Sequence, residues 1–145
     1  RYHGAAALVA TGAVAIAQGA TALFEAALTS PPTERELRAA VASLLRSVAS
    51  NVEVVGARRA LASPLLRDDT DTVARHLAAM GDLPTTRALY RAAVALVLDA
   101  LEADGAVKPG TVAAARRLVA EDGSSGHPPP DARSALDRAG PDRVK

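Results

Sequence analysis

The chain has 145 residues, 49% of them hydrophobic and only 2% aromatic, with seventeen Lys and Arg against sixteen Asp and Glu for a net charge of +1. That length fits one domain with a real core, and a hydrophobic set made mainly of Ala, Leu and Val favours close helix-on-helix packing over sheets. The two charge signs are mixed along the chain and leave no footprint for a phosphate backbone, so no nucleic-acid partner is expected; without cysteine, disulfide and thiolate chemistry are excluded and a cytoplasmic setting is the expectation.

Residues 5–28 predict a long first helix. Val9, Ile16 and Leu23 recur every seven residues, and Thr11, Gln18 and Glu25 repeat on another stripe, giving a dry face and a polar face. Gly12, Ala13 and Gly19 leave little bulk, so a neighbouring helix can approach closely. Gln18 and Glu25 interrupt an apolar run that Ala and Gly already dilute, so no membrane span is expected. The opening Arg1-Tyr2-His3-Gly4 lacks the charged region and cleavage pattern of a signal peptide. Since the chain opens on Arg1 and reads as helix almost at once, a further segment on its N-terminal side is expected.

Ser30-Pro31-Pro32 stops the first helix. Thr33 followed by Glu36 then reads as a capping box, with Leu37, Val41, Leu44, Leu45 and Val48 as the apolar stripe behind it. From Asn51 the pattern through Val52, Val55 and Leu61 is less regular and contains Gly56, which predicts a break near Asn51 and two helical pieces. Ser63-Pro64 ends that unit. The polar run 67–72 leads into a helix through Met80, capped by its last members and stopped at Gly81. Pro84 opens the next helix, whose Leu89, Val94, Leu96, Val97, Leu98 and Leu101 form a broad apolar surface expected to lie centrally and well buried, and Asp104-Gly105 ends it. Pro109 begins a final short helix carrying Val112, Leu118 and Val119 and ending at Gly123. Beyond Gly123, Ser, Gly, the run Pro128-Pro129-Pro130 and a charged remainder cannot offset chain entropy, so 123–145 is expected to be a disordered tail apart from a short helix over 134–138. The expected architecture is therefore all-α, a bundle of about six helices over 1–122.

No two His residues share a metal-ligand spacing, and no strained nucleophile turn frames any Ser. Strands never alternate with helices and no Gly-x-Gly-x-x-Gly turn occurs, so a dinucleotide-binding unit is not expected within this sequence. The informative stretch is 60–77, a helix end, a Pro turn, a polar loop and a new helix start. Such a loop points helix N-terminal amides and hydroxyls outward, which suits an anion such as a carboxylate. The plainer reading is that Asp69, Thr70 and Asp71 only cap a helix and that Arg67 pairs with a neighbouring acid.

The residues Ala60-Leu61-Ala62-Ser63-Pro64-Leu65-Leu66-Arg67-Asp68-Asp69, then Thr72-Val73 and His76-Leu77, resemble the pattern Ala-Leu-Thr-Gly-Pro-x-x-Arg-Gly-Asp, Thr-Val and His-Leu of the domain-of-unknown-function family 2520. Tyr2-His3-Gly4-Ala5-Ala6 resembles that family's opening Tyr-His-x-Ala-Ala, Asn51 with Gly56 its middle Asn and Gly, and Leu89-Tyr90 its later Leu-Tyr, so the resemblance covers about 1–103. It implies a helical domain similar to the C-terminal domain of pyrroline-5-carboxylate reductase, with the 6-phosphogluconate dehydrogenase C-terminal-like fold, placed after a Rossmann-like domain that binds NAD or NADP. In such an NAD(P)-dependent oxidoreductase the helical part forms the substrate-side wall of the cleft and a homodimer interface. The substrate would be a small molecule with a carboxylate, imine or carbonyl group.

The matching positions implicate His3, Arg67, Asp69, Thr72 and His76 as lining that cleft, with Thr11 and Ser63 as altered members. Thr11 stands where the family has Asn, Ala62-Ser63 where it has Thr-Gly, and Asp68 where it has Gly. Ala62 removes a hydroxyl that Ser63 can restore one position along, and Asp68 adds charge where a small residue is usual. Each residue also has a simpler role: His3 as a solvated residue, His76 in a structural hydrogen bond, Thr72 as a cap. Two other classes remain, a non-catalytic helical dimerisation or ligand-sensing module, and the cytoplasmic helical part of a membrane exporter.

Overall fold

The structure is a computed structural model and describes residues 1–30, 32–60 and 63–120. Among them every regular element is helical: α1 (Tyr2–Ala27), α2 (Glu34–Val55), a 3-10 turn (Pro64–Arg67), α3 (Thr70–Ala79), α4 (Pro84–Ala103) and α5 (Pro109–Ala120). Five α-helices and one 3-10 turn match the expected all-α bundle of about six helices. The expected tail from 123, the helix over 134–138 and the stop at Gly123 lie outside the described residues.

Each boundary follows from local chemistry. At the start of α2 the Thr33 backbone N–H donates to Glu36 Oε2 (2.8 Å), and the Glu36 N–H donates to Thr33 Oγ1 (3.3 Å), which completes the predicted capping box. The paired backbone and side-chain donors of Thr33 hold the Glu36 carboxyl below the usual range. Pro84 occupies the first turn of α4, where its missing N–H costs nothing. Gly105 closes that helix with φ +63°; its own N–H donates to Glu102 O (3.0 Å) and the Ala106 N–H to Leu101 O (2.9 Å), a Schellman ending.

The predicted break at Asn51 is not present. Helix α2 runs unbroken through Asn51 to Val55 and ends only where Gly56 takes φ +79° and donates its N–H to Val52 O (2.9 Å). Residues 51–59 are all exposed, so no neighbour selects an apolar stripe there; Leu61 lies outside the described residues.

The core gathers around α4. Val94, Leu98 and Leu101 form one stripe of that helix and pack with Leu65 of the 3-10 turn, Val73 and Leu77 of α3, and Val107, Val112 and Ala115 at and within α5. The expected central position of α4 holds, since it meets α1, α3 and α5. Its apolar surface is narrower than expected, because Leu96 is 67% exposed.

Helix α1 departs further from expectation. Of the stripe Val9, Ile16 and Leu23, Val9 is 72% and Ile16 48% exposed, and Gly19 is the one buried residue of the helix. At Gly19 a Cβ would stand 3.0 Å from Thr86 Cγ2, so the missing side chain lets α1 rest directly on α4. Gly12 faces open space. The dry face is thus covered only along its C-terminal half. Among the described residues α1 is also the helix long and apolar enough to cross a membrane, by length and composition, with a mean hydropathy of 1.7 over its best window, 6% of which is buried.

Candidate functional site

Where α1, α3 and α4 meet, packing is loose and three apolar hollows adjoin one another. The first, of about 320 Å³, lies between the 3-10 turn, α3 and α4 beside Ser63, Val73 and Val94. The second, of about 520 Å³, separates α3 from the C-terminal part of α1 and from Leu44 of α2. The third, of about 270 Å³, runs along α1 and α4 past Gly19 and Thr86. His76 borders the first and second and Tyr90 the first and third.

These two residues meet. His76 Nδ1 is 2.7 Å from the Tyr90 hydroxyl, and the rings stand edge to face with centroids 5.7 Å apart. His76 is exposed on α3 and Tyr90 half-buried on α4. Partial burial pushes the Tyr90 phenol above its ordinary value, so it keeps its proton. Tyr90 was expected only as part of the Leu-Tyr match, not as a site residue. It lies fourteen positions from His76 on another helix, and no spacing rule within one helix can pair them.

Ser63 is buried at the mouth of the first hollow. Its Oγ accepts from the Leu65 N–H (3.2 Å) and so caps the 3-10 turn that Pro64 begins. Asp68 ends that turn in the left-handed region at φ 58°. This explains why the related pattern carries Gly at the position, since Gly enters that region without a Cβ penalty. Here Asp68 is held by Lys108 and by Thr111, whose Oγ1 donates at 2.7 Å. Those two donors, Lys108 first, keep the Asp68 carboxyl below the ordinary range.

Asp69 is the N-cap of α3. It accepts from the Thr72 N–H (2.9 Å) and from Thr72 Oγ1 (2.6 Å), and these bonds, aided by the charges of Arg75 and Arg67, lower its pKa. Thr72 is therefore the capped residue rather than the cap, and its hydroxyl also accepts from Arg75. Arg67 is exposed at the end of the 3-10 turn and acts on Asp69 only through its charge. Among the described residues no ion pair joins Arg67 to Asp69 or Asp71.

The structure thus brings Ser63 and His76 to one hollow and places Arg67, Asp69 and Thr72 along the segment that supports it. His3 and Thr11 stand apart. They are exposed on α1, and at roughly 1.5 Å per residue they lie about 20 Å and about 8 Å along its axis from Ile16, the α1 residue nearest in sequence that lines the hollows. His3 packs edge to face on Tyr2, with ring centroids 5.9 Å apart. Ala62 lies outside the described residues.

An all-helical domain with a histidine–tyrosine pair over an apolar trough is the class that this geometry defines. The chain belongs to the family described as Domain of unknown function (DUF2520), whose profile matches residues 1–96. Neither curated proteins nor solved structures give a match. The family match stops inside α4, whereas the core draws Leu98, Leu101, Val107, Val112 and Ala115 from beyond it. The folded unit is therefore longer than the matched segment.

Proposed function

We propose that this chain is the substrate-side helical wall of a cytoplasmic NAD(P)-dependent oxidoreductase, in which a Rossmann domain holds NAD or NADP and two copies meet through their helical layers. The observation that carries this reading is the His76–Tyr90 pair beside the Pro64 turn, set over an apolar trough inside the family-matched segment. A wall of this kind binds and orients a small molecule while the cofactor supplies the redox chemistry. The described residues do not fit the cofactor's own pyrophosphate, because they contain no Gly-rich strand-to-helix turn and no cation lines the hollows. We therefore assign the cofactor to the other domain and derive no step through it.

The test is NADPH or NADH binding by this chain joined to the sequence that precedes it, followed by turnover with His76→Ala and Arg67→Ala. The expected outcome is cofactor binding unchanged in both variants, with kcat/KM reduced about 10²-fold in His76→Ala. Wild-type kinetics in both variants, or an upstream sequence without a strand and Gly-rich turn, overturns the reading.

A non-catalytic dimerisation or ligand-sensing module is the second reading. It is favoured by the exposed apolar residues Val9, Val14 and Ile16 of α1 and Leu44, Val48 and Val52 of α2, because clustered exposed apolar side chains mark interaction surfaces. Concentration-dependent dimerisation in light scattering, together with no NAD(P)H binding by the longer protein, matches this alternative.

A further inference from the structure

We propose that the joined hollows around His76 and Tyr90 bind an uncharged, mainly hydrocarbon small molecule through a single carbonyl-type oxygen that accepts a hydrogen bond from the His76 imidazole. This deepens the reading of the face as a substrate wall, and it rests on that reading only for its biological use, because binding needs no cofactor.

Three observations carry it. The hollows share residues, with Ala20, Leu23 and Met80 bordering both the second and the third, so one ligand can extend from one to the next. Volumes of about 320 Å³ and about 520 Å³ fall in the range of small-molecule sites. The walls are Leu23, Phe24, Leu44, Met80, Val94 and Val97, with the flexible thioether of Met80 able to adapt to shape.

The second observation is charge. Among the described residues no Lys or Arg lines any of the three hollows, and the one acid is Asp82 in the second. A carboxylate or phosphate entering here leaves water with no countercharge and approaches a negative group, both unfavourable. The expected carboxylate-bearing substrate therefore does not fit this trough, while a ketone, an aldehyde or a neutral amide does.

The third is hydrogen-bond capacity. Nδ1 of His76 is engaged by the Tyr90 hydroxyl, whereas Nε2 has no hydrogen-bond partner among the described residues. The contact allows two tautomers; in the one where the phenol donates to Nδ1 the ring proton sits on Nε2, which makes that nitrogen a donor and calls for an acceptor on the ligand.

The experiment titrates the 145-residue chain, labelled with ¹⁵N, with cyclohexyl methyl ketone and separately with cyclohexanecarboxylate, which share one hydrocarbon body. The ketone is expected to move the amides of Leu23, Met80 and Val94 and the Nε2 resonance of His76, and to bind at least about tenfold more tightly than the carboxylate. His76→Phe, which keeps the ring volume, is expected to weaken the ketone about threefold or more. Tyr90→Phe, which serves if His76→Phe fails to fold, is expected to shift the ring proton between the two nitrogens and weaken the ketone less. Equal or tighter binding of the carboxylate, no saturable binding of the ketone, or a His76 resonance unmoved by it each overturns the proposal. Loss of ketone binding alongside NAD(P)H-dependent turnover of the longer protein sinks this ligand class alone; ketone binding without NAD(P)H binding sinks the oxidoreductase reading alone.

Discussion

Leu98 in α4 is completely buried, whereas Val9 in α1, also apolar and also on a regular helix, is 72% exposed. The difference lies in what surrounds each helix. Tight stops at Asp68, Met80 and Gly105 fold the 3-10 turn, α3 and α5 back around α4, so its central stripe is enclosed from several sides. Helix α1 has 26 residues and spans about 39 Å, while α4 with 20 spans about 30 Å and α3 with 10 about 15 Å. Helix α2, with 22 residues, also packs on α1, yet residues 1–11 at the N-terminal end of α1 are all exposed, so no neighbour among the described residues covers them. An apolar stripe records which face a helix offers; burial needs a neighbour that lies against that stripe.

The largest effects should therefore separate the two regions. Leu98→Ala removes a fully enclosed side chain and should cost about 2–5 kcal/mol in urea unfolding. Val9→Ala should stay within about 0.5 kcal/mol. Native-state hydrogen exchange should likewise show amides of 4–15 opening far more easily than those of 94–101. Comparable costs, or comparable protection, would abolish the distinction.

Glycines offer a finer cut along α1 itself. Gly19→Leu must push α1 off Thr86 and should cost about 1–3 kcal/mol. Gly12→Ala meets open space in a helix interior and should stabilise by up to about 1 kcal/mol. If both substitutions behave alike in thermal unfolding, then α1 is not seated on α4 at Gly19.

Much of this fold was legible because its punctuation is chemical and local. Thr33 with Glu36, Pro84, Gly105 and Pro109 each satisfy or remove specific backbone groups, and each acts where the sequence placed it. Asn51 misled because a polar residue inside a helix is harmless on an uncovered face. The apolar positions Val9 and Ile16 misled for the same reason, since periodicity is blind to whether a partner arrives. At the candidate site, the sequence singles out the Pro-turn segment that carries Ser63 and His76, while the pairing of His76 with Tyr90 depends on how α3 meets α4, which no single stretch of sequence contains.

Acid should loosen the enclosed region in a defined direction. Asp68 and Asp69 both have folded-state pKa values below their ordinary ones, the first through Lys108 and Thr111, the second through Thr72. Such groups stay ionised in the folded chain at a pH where the unfolded chain already takes up protons. Their stabilising contribution is complete above the ordinary carboxylate value near 3.8 and is lost as pH falls through the lower folded values. Urea midpoints measured downward from pH 6 should therefore fall below about pH 4. Asp68→Asn, which tolerates the left-handed backbone, and Asp69→Asn, which can still cap α3, should each flatten that fall. An unchanged slope in both would mean that these carboxylates do not hold the 3-10 turn to α3 and α5.

The smallest change asks whether the two regions unfold together. Thr33→Ala removes the oxygen that accepts the Glu36 N–H and the hydroxyl that donates to Glu36, at the start of a helix whose buried residues are only Leu37 and Val41. Losing an N-cap of this type costs about 1 kcal/mol. If the α1–α2 layer opens on its own, that cost should appear as faster amide exchange over α2 with α4 unaffected. A matching loss in α4 protection would instead tie the layer to the core as one cooperative unit, and the exposed stripes of α1 and α2 would then be rigid surfaces, preformed for whatever covers them.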